Sequence, residues 1–235
     1  MIAGKHADAI EAYPEPIILP REMDDEEEAQ RLTSILPVIL QQNEFDSVYS
    51  ANAWTKNISG TAVYGVFWDR SKLNGLGDVS VQKVSVLNLF WQPGLTDIQK
   101  SPHFFHVEKV DDAALEAQYP GLKGQLKGNK TLTLTEFETD DHVKDDKKSI
   151  VVDWFYKKRE GGRTVLHYVK YTGDHVLFSS ENEGLTDGWY ADGKYPYVFD
   201  ALYPVEGSPC GFGYVEIGKS PQMSIDLLNQ QLIKS

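Results

Sequence analysis

Apolar positions recur at intervals of three and four in the first quarter of the chain and at intervals of two through much of the remainder. The first period is that of a helix buried along one stripe, the second that of a strand buried on one face. In REMDDEEEAQRLTSILPVILQQ, Ala29, Leu32, Leu36 and Ile39 form the stripe. Asp25 stands where an N-cap belongs, with Glu28 three places on, and Asp24 to Glu28 put carboxylates beside the exposed N–H groups of a first turn. These acids are consecutive rather than alternating, so they read as helix-start electrostatics and not as a calcium loop. Pro37 should kink or split the helix. A second helix is predicted over about Asn43 to Lys56, with Phe45, Val48, Tyr49 and Ala53 inward.

Gly60 ends the helical period. GTAVYGVFWD then alternates as a strand, Val63, Gly65 and Phe67 on one side and Tyr64, Val66 and Trp68 on the other. Asn74-Gly75 is a turn candidate, and DVSVQKVSVLNLFWQPG supplies one or two more strands closed by Pro93-Gly94. HFFHVEKV is a further strand, and DDAALEAQ a short helix capped by Asp111 or Asp112 and stopped at Pro120-Gly121. Residues 123–149 are polar and read as a flexible segment holding one weak strand, TLTLTEF. The run from Ser149 to Ser180 repeats strand, tight turn, strand, with turns at Gly161-Gly162 and Gly173-Asp174, which is an antiparallel meander. The fold class expected is α+β: a mostly antiparallel sheet packed against a helical layer, with a terminal helix still running at residue 235.

Both ends look cut. Ile2, Ala7 and Ile10 read as the tail of a helix stopped by Pro14 and Pro16, and the final helix, read from Pro221 as its first residue, has no glycine stop. Ile225, Leu228 and Leu232 form its stripe, with Leu227 and Ile233 beside it.

Charge narrows the functional classes. A net charge of −12 opposes tight binding of nucleic acid, which needs a basic face. One cysteine, Cys210, excludes an internal disulfide framework, and no apolar run reaches the ~20 residues of a membrane span. Candidate chemistry is thin. His103 and His106 lie three apart on a strand and face opposite ways, so they do not share an ion without a bulge. Gly213 to Ser220, GYVEIGKS, matches a phosphate-loop pattern in letters, but Tyr214, Val215, Glu216 and Ile217 are too bulky or too acidic to wrap a phosphate. Cys210 has no base beside it. Of five tryptophans, Trp54, Trp68, Trp91 and Trp154 sit in apolar or alternating runs and read as core, whereas Trp189 lies in a glycine-rich loop where it could contact a ligand. No catalytic residue, cofactor or metal is expected.

The wording of three long segments is more informative than any motif. EEEAQRLTSILPVILQQNEFDSVYSANAWTKNISGTAVYGVFWD, VSVLNLFWQPGLTDIQKSPHFFHVEKV and GKYPYVFDALYPVEGSPCGFGYVEIGKSPQMSIDLLNQ resemble, in that order, the portal proteins of tailed bacteriophages in a prophage-type version. Pro221, Gln222, Ile225, Asn229 and Gln230 match loosely the family's channel-directed helix. The resemblance implies a wing-like α+β domain over 1–206 and a glycine turn with the start of a stem-directed helix over 207–235. It further implies a fragment that is monomeric or weakly associated, derived from a ring-forming protein, usually a dodecamer. Such rings sit at a capsid vertex after assembly in the host cytoplasm, dock terminase and head–tail adaptor proteins, and pass double-stranded DNA without reading its sequence. Subunit contacts would involve Gln222, Asp226 and Asn229. Two other readings stay open: a binding module using the aromatic loop 184–197, and a nucleotide-binding hydrolase built on Gly213 to Ser220 and the histidine pair.

Overall fold

The computed structural model describes residues 2–126 and 147–234, and the weak strand expected at TLTLTEF lies outside them. The described chain forms two compact units, one of Met1–Val84 with Pro196–Ser235, the other of Ser85–Tyr195. The first unit takes a segment from each end of the chain, because the segment after Tyr195 returns to pair with the first strand.

In the first unit, α1 (Ile2–Glu11) ends just before the two prolines, and an extended segment follows in which the Ile18 N–H donates to Thr33 Oγ1 at 3.1 Å. Next comes α2 (Glu26–Gln42), with three glutamates in its first turn. Asp25 occupies the N-cap position, yet its carboxylate caps nothing in α2 and instead accepts the Glu22 N–H at 3.4 Å. Pro37 lies inside the helix without ending it, so one lost hydrogen bond is tolerated on an exposed flank. Asn43 closes α2: its amide Nδ2 donates to Ile39 O at 2.8 Å and to Val79 O at 3.1 Å, and its Oδ1 accepts from Lys72 Nζ and from Val81 N.

Glu44 is left-handed (φ 48°), which turns the chain sharply into α3 (Phe45–Ser59). This helix buries Asn52, Ala53 and Asn57 against β1 (Thr61–Asp69), and Asn52 Nδ2 donates to Val63 O at 3.2 Å. β1 pairs with β2 (Asp78–Val84) in antiparallel register from Val63↔Val84 to Asp69↔Asp78. Its first three residues are buried, whereas the far end is open and leaves Trp68 50 % exposed. Trp54, also expected in the core, is 43 % exposed and meets only the edge of the His6 ring among the aromatic contacts described. Alternation reports which face a residue takes, not how far along its element the cover extends.

The second unit is a five-stranded antiparallel sheet of β3 (Leu89–Trp91), β4 (His103–Asp111), β5 (Lys148–Glu160), β6 (Arg163–Thr172) and β7 (His175–Ser179), adjacent in that order. The expected meander is present, and its turns fall at the two glycine sites. Gly161 and Gly162 both have positive φ, the pair of angles a two-residue hairpin turn requires. Between β4 and β5, α4 (Asp112–Gln118) follows Asp111, and Asp112 Oδ1 accepts the Ser149 hydroxyl. Phe104 and Phe155 are paired across β4 and β5, and on one face of this sheet Phe104 stacks on the ring of Tyr195 while Phe155 meets that ring edge-on.

After Tyr195 the chain rejoins the first unit. β8 (Tyr197–Ala201) pairs with the free edge of β1, Thr61↔Ala201 to Gly65↔Tyr197. A two-residue ladder of β9 (Tyr203–Pro204) and β10 (Gly211–Phe212) then leads into α5 (Tyr214–Lys234). Helices and antiparallel sheets together make an α+β fold. Among the described residues no helix is long and apolar enough to cross a membrane.

Candidate functional site

The start of α5 is held by close backbone contact. Gly60, the left-handed cap of α3, lies so near Phe212 that a Cβ there would fall on the Phe212 backbone, and a Cβ on Gly213 would fall on the Ile58 carbonyl. Only glycine permits both the positive φ and this approach. Tyr203 stacks on Phe212 at 5.2 Å and meets the edge of Tyr214 at 5.8 Å, so the first turn of α5 is anchored by aromatic rings. Cys210, half-buried beside this junction, has its thiol pushed up by burial, the opposite of what a reactive thiol needs.

Beyond Gly218 every described residue of α5 is exposed. Its apolar stripe is exposed with the rest, from Ile225 at 51 % through Leu228 at 60 % to Ile233 at 84 %. Gln222, Asp226 and Asn229 recur at four and three on the adjoining stripe, and Gln222 Nε2 donates to Asp226 Oδ1 at 2.9 Å. The helix begins about two turns earlier than the proline signal indicated, so Pro221 is interior and not its first residue. Anchoring of Tyr214 by Tyr203 sets the true start, a long-range contact invisible in local sequence.

That start also disposes of the phosphate-loop match. Tyr214 to Ser220 are helical, and their N–H groups are directed along the helix rather than cradling an anion. His103 and His106 fall on opposite faces of β4. His103 is exposed and accepts the Trp154 Nε1–H at 3.3 Å, while His106 is buried between Glu108, at 3.2 Å, and Asp153, at 3.8 Å. The glycine-rich loop is laid against β6: the Trp189 N–H donates to Leu166 O at 2.7 Å, and its ring packs on Tyr168 and Phe178 at 4.7 and 5.0 Å. Trp189 is therefore a half-buried packing residue and not a projecting anchor.

One cluster escaped the sequence reading, which foresaw no metal ligands. Glu160, His167 and Glu181 bring one ligand atom each to within 4.8 Å of one another. Its signal was the Gly161-Gly162 turn, which fixes the β5–β6 register and so the face that Glu160 and His167 share.

The family model of the phage P22-like portal protein matches residues 7–194. That span contains the second half of α1, then α2 to α4 and the whole five-stranded sheet, and stops before β8 and α5. A comparison with curated proteins returned no match. With most of its length inside that match, the chain belongs to the P22-like phage portal protein family.

Proposed function

We propose that this chain serves as a subunit of a portal ring, the head–tail connector at a capsid vertex through which double-stranded DNA is packaged and ejected. The single observation that carries the reading, beside family membership, is the exposed apolar stripe of α5. A helix with Ile225, Leu228 and Leu232 in water is unfavourable, at roughly 1.5 kcal/mol or more for each side chain that could be buried, and a neighbouring copy of the same chain is the occupant a ring supplies. Gln222, Asp226 and Asn229 would then make polar contacts along the rim of that interface. The role is structural, without catalytic residue or cofactor. In this reading the ring docks terminase and head–tail adaptor proteins, assembles in the host cytoplasm and joins the capsid. A net charge of −12 suits a conduit that DNA must traverse without sticking.

Electron microscopy of the protein purified from its full reading frame tests this directly. Closed rings are expected, and the double substitution Leu228→Asp with Leu232→Asp should lower ring yield at least tenfold while leaving thermal unfolding of the dissociated chain unchanged. Monomers alone at high concentration, or rings indifferent to both aspartates, would remove α5 from the interface and the proposal with it.

A further inference from the structure

Period two places Tyr156, Lys158 and Glu160 of β5 on the face shared by Val165 and His167 of β6, given the pairs Tyr156↔His167 and Lys158↔Val165. Glu181 reaches the same face from just beyond the end of β7. His167 is only 3 % exposed, and its Nε2 is buried without a hydrogen-bond partner among the described residues. That nitrogen points at carboxylates too far away to bond it, Glu160 Oε1 at 3.6 Å and Glu181 Oε1 at 4.0 Å.

The rest of the ring is fixed. It stacks on Tyr156 with centroids 5.3 Å apart, and Nδ1 lies 3.4 Å from Ser180 Oγ. Ser180 is fully buried and its Oγ also accepts the Tyr168 N–H at 2.9 Å, so the hydroxyl itself is held in place. In the tautomer whose Nδ1–H donates to Ser180 Oγ, Nε2 carries a lone pair aimed at two carboxylates. Two acceptors and a lone pair repel unless a cation stands among them. The Lys158 ammonium does so now, 3.0 Å from Glu160 Oε1 and 3.0 Å from Glu181 Oε1. Lysine is a donor only to the oxygens here. It leaves Nε2 unsatisfied, and its side chain is 54 % exposed and able to swing away.

We propose that Glu160, His167 and Glu181 form a binding site for a divalent transition-metal ion of the zinc class, the ion displacing the Lys158 ammonium. One imidazole nitrogen with two carboxylate oxygens suits zinc better than calcium or magnesium, which prefer all-oxygen shells. Bonds of about 2.0–2.2 Å require the ligand atoms to draw together by about 1 Å or less from the His167 distances. The two glutamates, both partly exposed, can make that movement while His167 stays in its seat. A water completes the shell, and the ion ties the hairpin of β5 and β6 to the segment after β7.

The test is zinc chloride titrated into the full chain at pH 7.5 by calorimetry, with thermal unfolding recorded in parallel. One zinc per chain is expected, with Kd of order 10 µM, and a Tm raised in step with saturation. Glu181→Gln, a change at an exposed position that leaves the fold alone, should weaken binding at least tenfold, and His167→Gln should abolish it. Lys158→Ala should tighten it several-fold, because the competing ammonium is gone. No heat at sub-millimolar zinc overturns the proposal. So does zinc binding that ignores both Glu181→Gln and Lys158→Ala, since the ion would then sit on other carboxylates.

Discussion

Burial holds the His106 imidazole below its ordinary pKa, against the opposing pull of Glu108 and Asp153 and with help from the Lys170 ammonium. Asp153 is engaged on its other side as well, by the Tyr168 hydroxyl at 2.6 Å and by Lys170 Nζ at 3.3 Å, so its charge is only partly available to the histidine. The consequence for stability has a definite sign. Between the folded and unfolded pKa values of His106 the unfolded chain binds the extra proton, so stability rises with pH across that window and is lost as pH falls below about 6.5. Thermal unfolding from pH 7.5 down to 5.5 should show a falling Tm, and His106→Gln should flatten that part of the curve while costing stability at pH 7.5. An unchanged or steeper fall in the variant would assign the effect to another group. Sequence alone placed His103 and His106 on opposite faces, because strand period is a local property. Which of the two is buried depends on what covers each face, and that information comes from elsewhere in the chain.

Among the elements, the segment before β4 is tied to Tyr195 by a side chain that no pattern marks. Gln99 Oε1 accepts the Tyr195 N–H at 2.8 Å, and Gln99 Nε2 donates to Tyr195 O at 3.0 Å. Tyr195 in turn donates its hydroxyl to Ser101 O at 2.7 Å and lies under Lys157 Nζ, 4.4 Å from the ring centre. Its phenol is pushed up by burial, consistent with a ring enclosed by Phe104 and Phe155. Gln99→Ala leaves both main-chain groups of a buried residue unpaired and should cost about 2 kcal/mol in urea unfolding. Gln82→Ala, at an exposed position of β2, should cost close to nothing, and equal effects would show that the clamp carries no special weight. Elements set by short-range signals were legible: the helix ending at Gly60, the strand after it, and the meander with its two glycine turns. Elements set by partners distant in sequence were not. β8 forms because β1 offers an edge, α5 starts early because Tyr203 meets Tyr214, and Trp189 is covered because Gly188 lets the loop approach Leu166.

At the scale of the whole molecule, charge and the exposed helix make separate demands on the same function. A chain of net charge −12 has too few clustered cations to gain affinity by releasing counterions from DNA. Three basic side chains are engaged with the chain's own groups: Lys56 with Asp200 at 2.7 Å, Lys157 with Gln99, and Lys158 with two glutamates. Fluorescence anisotropy with a labelled duplex should therefore show no saturable binding by the chain at about 0.15 M salt up to roughly 100 µM protein, weaker than the usual non-specific range of 10⁻⁴–10⁻⁶ M. The same titration at about 0.02 M salt separates the physical causes. A protein whose acids merely mask a hidden basic track would bind as salt falls, with a steep logarithmic slope, whereas a surface acidic throughout would stay unbound because lower salt lengthens the repulsion too. The second outcome is the expected one. Tight binding at low salt with a slope of several charges would mean that this chain grips DNA, and a conduit that must let the polymer slide would no longer be its natural role.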